Sequence, residues 1–125
     1  MKAIFIALLA VLLGVTAVGA DKKKPLPKDF KSLKALAEKG DAKAQYNLGE
    51  MYLRGEGVEK DEKEAVKWYR KAAEQNSALA QYDLGQMYEI GLGVEKDEKE
   101  AVKWYRKAAE QGDEDAKAAL KILSP

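Results

Sequence analysis

A 36-residue unit that the chain spells twice constrains its fold more than any other feature. Residues 40–75 and 76–111 align without a gap and differ at eight positions, and from Gly57 to Gln75 the second copy, Gly93–Gln111, is identical letter for letter. Self-similarity at a fixed period of this length is the mark of stacked repeats, in which each unit buries its apolar face only against its neighbours. Such stacks work through extended surfaces more often than through enclosed catalytic pockets.

Each unit carries two apolar stripes at helical spacing. Ala44, Leu48, Met51 and Tyr52 form the first, and Ala65, Val66, Trp68, Tyr69, Ala72 and Ala73 form the second. The punctuation agrees with two helices. Asp41 is placed to cap the first, Gly55 and Gly57 to stop it, and Asp61 to cap the second, with Glu64 three residues on in a capping-box-like arrangement. The same signals return at Ser77, Gly91, Gly93, Asp97 and Glu100. The flanks keep the register as half units. Phe30–Lys39 aligns with the second helix, placing Leu33, Leu36 and Ala37 at the positions of Tyr69, Ala72 and Ala73. Asp113–Leu123 aligns with the first helix, with Ala116 and Leu120 at the positions of Ala80 and Leu84. In that last segment Ala118 stands for Tyr82 and Lys121 for Gly85, the more polar outer face expected of a terminal cap. The expectation is six helices: a half repeat, two full repeats and a half repeat.

These letters resemble the Sel1-like repeat, a relative of the tetratricopeptide repeat with a longer turn between its helices. The matching residues are Ala44, Leu48-Gly49, Tyr52, Gly55-x-Gly57-Val58, Asp61, Ala65, Trp68-Tyr69 and Ala72-Ala73, with their copies 36 residues on. The resemblance implies an all-α, right-handed α-solenoid of helix–turn–helix repeats over residues 30–123. It also implies that the first helices line a concave face and that the protein works by holding other proteins.

Residues 1–20 stand outside that domain. Lys2, the apolar run Ala3–Leu13 and the small residues Val18-Gly19-Ala20 before Asp21 describe a secretory signal peptide cleaved after Ala20. An uncleaved anchor is the rival, but a span needs about 20 apolar residues, and Gly14, Thr16 and Gly19 interrupt this one. Residues 21–29, with four lysines and two prolines, read as a disordered linker. The expected location is periplasmic or secreted, with no stable membrane insertion after cleavage. Losing Lys2 with the leader leaves 21 basic against 21 acidic side chains, a balance without the basic excess of a nucleic-acid binder.

The chain has no His and no Cys, so Ser–His and Cys–His nucleophilic sites and His- or Cys-based zinc sites cannot be built, and disulfides cannot support the fold. Gly55-x-Gly57 follows a helix and lacks the third glycine and the Lys-Ser/Thr ending of a phosphate loop. Capping accounts for Asp61 and Glu64 more simply than acid–base chemistry. Trp68 and Trp104 lie on an apolar stripe, which favours core packing over ligand stacking. Lys67, Arg70 and Lys71, with Glu64 and Glu74 on neighbouring turns, read as a solvated face. No catalytic residue, metal or cofactor is expected.

The eight differences are Gly40/Asn76, Asp41/Ser77, Lys43/Leu79, Asn47/Asp83, Glu50/Gln86, Leu53/Glu89, Arg54/Ile90 and Glu56/Leu92, all before the identical block. Positions 43, 47, 50 and 54 are spaced by 4, 3 and 4 residues, a single helical stripe. Under the resemblance it lies on the concave face, so Lys43, Asn47, Glu50, Arg54, Leu79, Asp83, Gln86 and Ile90 are the expected partner-binding residues. Leu79, Ile90 and Leu92 give the second unit an apolar cluster suited to an aliphatic anchor. Tolerated drift, or recent copying confined to the second helix, would leave the same pattern, and the sequence alone does not separate these readings from functional divergence. The function expected is a non-catalytic module that binds a protein or peptide. Two alternatives follow from the resemblance: an inhibitor or immunity protein acting on a secreted enzyme or toxin, and a hydrolase like the cysteine-rich relatives described as β-lactamases. The relatives behind that last reading depend on a disulfide in each repeat, which this chain lacks.

Overall fold

The computed structural model describes residues 25–123, which form six helices and no strand. They are α1 (Phe30–Glu38), α2 (Ala42–Arg54), α3 (Glu62–Glu74), α4 (Ala78–Ile90), α5 (Glu98–Glu110) and α6 (Glu114–Leu123). Each helix packs against the next in sequence, α2 with α3 and α4 with α5 most extensively, so the two repeats stack into a short α-solenoid with a half repeat at either end. The expected leader and residues 21–24 of the expected linker lie outside the described residues. Residues 25–29 have no helix or strand, and Leu26 packs half-buried against the core.

The caps fall where the sequence places them. Asp41 accepts from the Ala44 amide at 2.9 Å, Ser77 from Ala80 at 3.3 Å, and Asp61 and Asp97 each from two first-turn amides. At the last helix Asp113 accepts from Ala116 at 2.8 Å. These side chains satisfy first-turn amides that have no partner within their own helix. The capping box is only half present. The Asp61 and Asp97 backbone amides donate to the carbonyls of Tyr52 and Tyr88 at 2.9 Å, so the amide that Glu64 or Glu100 would have taken is already bound. That bond fixes the long turn against the helix it leaves.

The core runs unbroken along the stack, from Leu33 and Ala37 through Leu48, Trp68 and Tyr69 to Leu84, Trp104, Tyr105 and Ala116. Small residues set its tightness. A Cβ on Gly49 would sit 2.9 Å from the Tyr69 ring, and one on Gly85 would sit 2.7 Å from the Tyr105 ring, so glycine lets each first helix lie flat on the aromatic of its second. Two buried glutamines, Gln45 and Gln81, tie the helix pairs to the preceding turn. Gln45 donates to the Ala37 carbonyl and accepts from Gln75; Gln81 donates to Ala73 and accepts from Gln111. Buried amides of this kind are tolerated only because they are bonded. The Gly40/Asn76 difference belongs to the same network. Asn76 adopts φ 72°, a left-handed conformation that asparagine bears better than most residues, and its side chain bonds Gln81 and Gln111.

The solvated face expected of Lys67, Arg70 and Lys71 is present in part: both lysines are exposed and Lys67 pairs with Glu64 at 3.9 Å, but the three side chains also have aromatic partners. Lys67 and Lys71 both place their ammonium groups 5.7 Å from the centre of the Trp68 ring, and Lys103 and Lys107 lie over Trp104 at 5.9 and 5.7 Å. Arg70 stacks on Tyr88 at 5.5 Å and donates to its hydroxyl. The aliphatic stems and cationic heads of these side chains close the tryptophans off from water.

Candidate functional site

Between α2 and α4 lies a groove of about 520 Å³, floored by Tyr69 from α3 and bounded by the turn after α4. Five of the eight expected partner-binding residues line it: Glu50, Arg54, Asp83, Gln86 and Ile90. Lys43, Asn47 and Leu79 do not. Lys43 and Leu79 lie in the first turn of their helices, where Leu79 is 60% exposed, and Asn47 stands on α2 where Asp83 stands on α4. Leu53, Met87 and Leu92 complete an apolar wall beside Ile90, which is itself 65% exposed.

Tyrosines organise the polar side. Tyr46 donates to Asp83 at 2.8 Å across the gap between the two first helices, and its ring leans on Tyr69 at 5.4 Å. The Tyr69 hydroxyl reaches Glu50 at 3.3 Å, and Tyr105 donates to Glu89 at 2.6 Å. Burial, helped by these acidic neighbours, holds all three hydroxyls above the ordinary tyrosine range, so they act as neutral donors. Burial also pushes the Asp83 carboxyl above its usual range. The bond from Tyr46 offsets part of that rise, and the charge of Glu50 adds to it. Arg54, at the rim, pairs with Glu50 at 3.5 Å.

The two repeats solve one local problem differently. The hydroxyl of the second-helix tyrosine must be met, and in the first repeat Glu50 meets it. In the second repeat position 86 is Gln, which donates instead to Tyr82 at 3.1 Å, and Glu89, one turn further along, receives Tyr105. Two of the sequence differences, Glu50/Gln86 and Leu53/Glu89, are therefore one coupled change that moves a carboxylate along the helix. A smaller recess of about 280 Å³ follows between α4 and α6, lined by Tyr82, Glu89, Asp115 and Ile122 among others. There Ala119 occupies the place that Asp83 holds in the first interval, so the cross-helix bond from the tyrosine is missing.

Comparing differences between copies misses Tyr46, Tyr69 and Met87, because these are the same in both units. The usable signal was chemical: a tyrosine, rather than a phenylalanine, on a buried stripe has a hydroxyl that needs a partner. Among the described residues no cluster of His, Cys, Asp or Glu is arranged to hold a metal ion, and no helix is long and apolar enough to cross a membrane.

The Sel1 repeat model matches residues 42–77 and 78–113. A crystal structure of a Sel1 repeat protein from Oxalobacter formigenes is 48% identical, with 73% of this chain and 68% of that one covered at a TM-score of 0.71. Helicobacter pylori cysteine rich protein B is 32% identical over 95% of this chain and 92% of its own, also at 0.71. A protective antigen of uropathogenic Escherichia coli with an SLR fold is 46% identical over 70% of this chain and 19% of its own, at 0.69. The putative sel1-like repeat-containing protein L18 of Acanthamoeba polyphaga mimivirus is 46% identical over 41 residues, and the match spans 7% of that protein. With two matched repeats inside a shared helical fold, the chain belongs to the Sel1 repeat family, whose members are generally protein-interaction scaffolds and typically non-catalytic.

Proposed function

We propose that this chain is an exported, non-catalytic module that binds a segment of another protein on the concave side of its solenoid, in the groove between α2 and α4. The observation that carries the reading is a coincidence of two independent patterns. Eight of the eleven residues that line this groove, all but Tyr46, Tyr69 and Met87, are ones at which the otherwise near-identical repeats diverge. Exposed positions of α3 and α5 such as Glu74 and Glu110 do not differ. The apolar run after Lys2 supports export, and intact-mass analysis of the exported protein is expected to find Asp21 at the N-terminus.

The test is affinity capture from a cell-envelope fraction with three baits: wild type, Ile90→Asp, and the control pair Glu74→Lys with Glu110→Lys. Ile90 is exposed in the free protein, so a carboxylate there meets water until a partner covers it. The expected result is a band retained by wild type and control and lost with Ile90→Asp, at unchanged helicity. Retention by Ile90→Asp with loss in the control would move the interface to the second helices and refute the reading.

A further inference from the structure

The geometry points to a partner segment that presents a lysine or arginine beside an aliphatic side chain, the cation seated between Glu50 and Asp83 and the aliphatic group against Leu53, Ile90 and Leu92. This inference rests on the groove being the binding site, and it names what the groove selects.

The lining holds three carboxylates, Glu50, Asp83 and Glu89, against one guanidinium, Arg54. Arg54 is mostly exposed at the rim, where it pairs with Glu50 and lends some positive charge to Asp83. Asp83 and Glu89 make no ion pair among the described residues. Each of the three acids is held by a tyrosine hydroxyl, from Tyr69, Tyr46 and Tyr105 respectively, and only Glu50 has an ion pair besides. A neutral donor fixes the position of a carboxylate and leaves its charge in place, whereas a lysine or arginine in the same role would have cancelled it. The acids are thus oriented, partly desolvated and still negative, the condition under which an incoming cation gains most. An acidic partner would add like charge to a half-buried carboxylate, and a wholly apolar one would strip water from Asp83 without replacing it. The apolar wall stands beside these acids in the same recess, which is why the cation and the aliphatic group belong on one short segment.

The chain as a whole does not supply this preference, since its formal net charge is only +1. The second interval carries two carboxylates of its own, Glu89 and Asp115, but Ala119 stands where Asp83 would be, and the recess is roughly half the size.

A random linear-peptide phage library panned on the full chain tests the inference. Enriched peptides are expected to share a lysine or arginine adjacent to Leu, Ile, Val or Met. A synthetic copy of one should bind about tenfold more weakly when Glu50→Gln and Asp83→Asn are introduced together, since both keep an acceptor oxygen for the tyrosines but lose the charge. Replacing the peptide's own cation with glutamine should cost as much on the unaltered protein, a readout that requires no folded variant. Enrichment of acidic or uncharged peptides that are displaced by Ile90→Asp would overturn the charge preference and leave the groove standing. Equal binding by wild type and the Gln/Asn pair would do the same. Absence of any peptide sensitive to Ile90→Asp would overturn the groove itself.

Discussion

The blocks Gly57–Gln75 and Gly93–Gln111 have one sequence and two environments. Trp68 and Trp104 are buried alike, at 5% and 6% exposure, each under two lysines. Elsewhere the copies part. Arg70 bonds Tyr88 on α4, whereas Arg106 is exposed, and Val66 is buried where Val102 is only half-buried. Gly93 presses on the start of α3; a Cβ there would lie 2.7 Å from the Glu62 carbonyl carbon and 2.9 Å from Val66, while one on Gly57 would meet the end of Met51 at 3.0 Å and Phe30 at an ordinary 3.9 Å. Contacts that stay inside the identical block, such as the lysines over each tryptophan, are therefore duplicated faithfully. Contacts between repeats depend on what stacks next, which identical letters do not reveal.

Substitutions made in pairs can break or sharpen that contrast. Trp68→Ala and Trp104→Ala should each cost about 3–5 kcal/mol as large core truncations, with similar losses in chemical denaturation because the two sites are equally enclosed. A loss below about 1 kcal/mol at either would place that indole at the surface. Gly57→Ala and Gly93→Ala share the strain of a left-handed conformation, about 1–2 kcal/mol. Gly93→Ala should cost a further 1–3 kcal/mol or so, because the new methyl meets backbone rather than a flexible side-chain end. Equal losses would mean that the turn does not bear on the preceding repeat.

Arg70→Ala should cost about 1 kcal/mol through its bond and stacking on Tyr88, and Arg106→Ala should stay within about 0.5 kcal/mol as an exposed change. The smallest effect is expected at Asp83, and it depends on pH. Its carboxyl is raised in the folded protein, so the unfolded chain gives up this proton first as pH climbs, and ionisation costs the folded state stability. Asp83→Asn should accordingly be slightly more stable than wild type near neutral pH. The advantage should fade as pH falls through the carboxylate range. Parallel stability–pH curves would show that Asp83 is not desolvated.

The architecture was legible because repetition doubles every signal. Caps, stops and apolar stripes recur at one period, and all six helices fall within a residue of where the pattern puts them. The candidate site was legible only in part. Glu50, Arg54, Asp83, Gln86 and Ile90 differ between the copies and line the groove. Spacing along a helix gives a face but not a depth, so the same stripe also drew in Lys43, Asn47 and Leu79, which do not line the groove. The tyrosines that orient the acids were hidden by their identity in both units, and the aromatic contacts of Lys67, Arg70 and Lys71 were hidden because charge spacing points only to nearby carboxylates such as Glu64, which Lys67 also meets.

The central claim is that the inner groove, and not the outer face of the second helices, is where a partner rests. Backbone amide chemical shifts recorded while a selected peptide is titrated into the labelled protein test it most directly. The account predicts that the largest shifts cluster at Tyr46, Glu50, Arg54, Asp83, Ile90 and Leu92, with Lys67, Lys71, Lys103 and Lys107 nearly still. Shifts concentrated on those lysines and the tryptophans beneath them, with Asp83 and Ile90 unmoved, would contradict it.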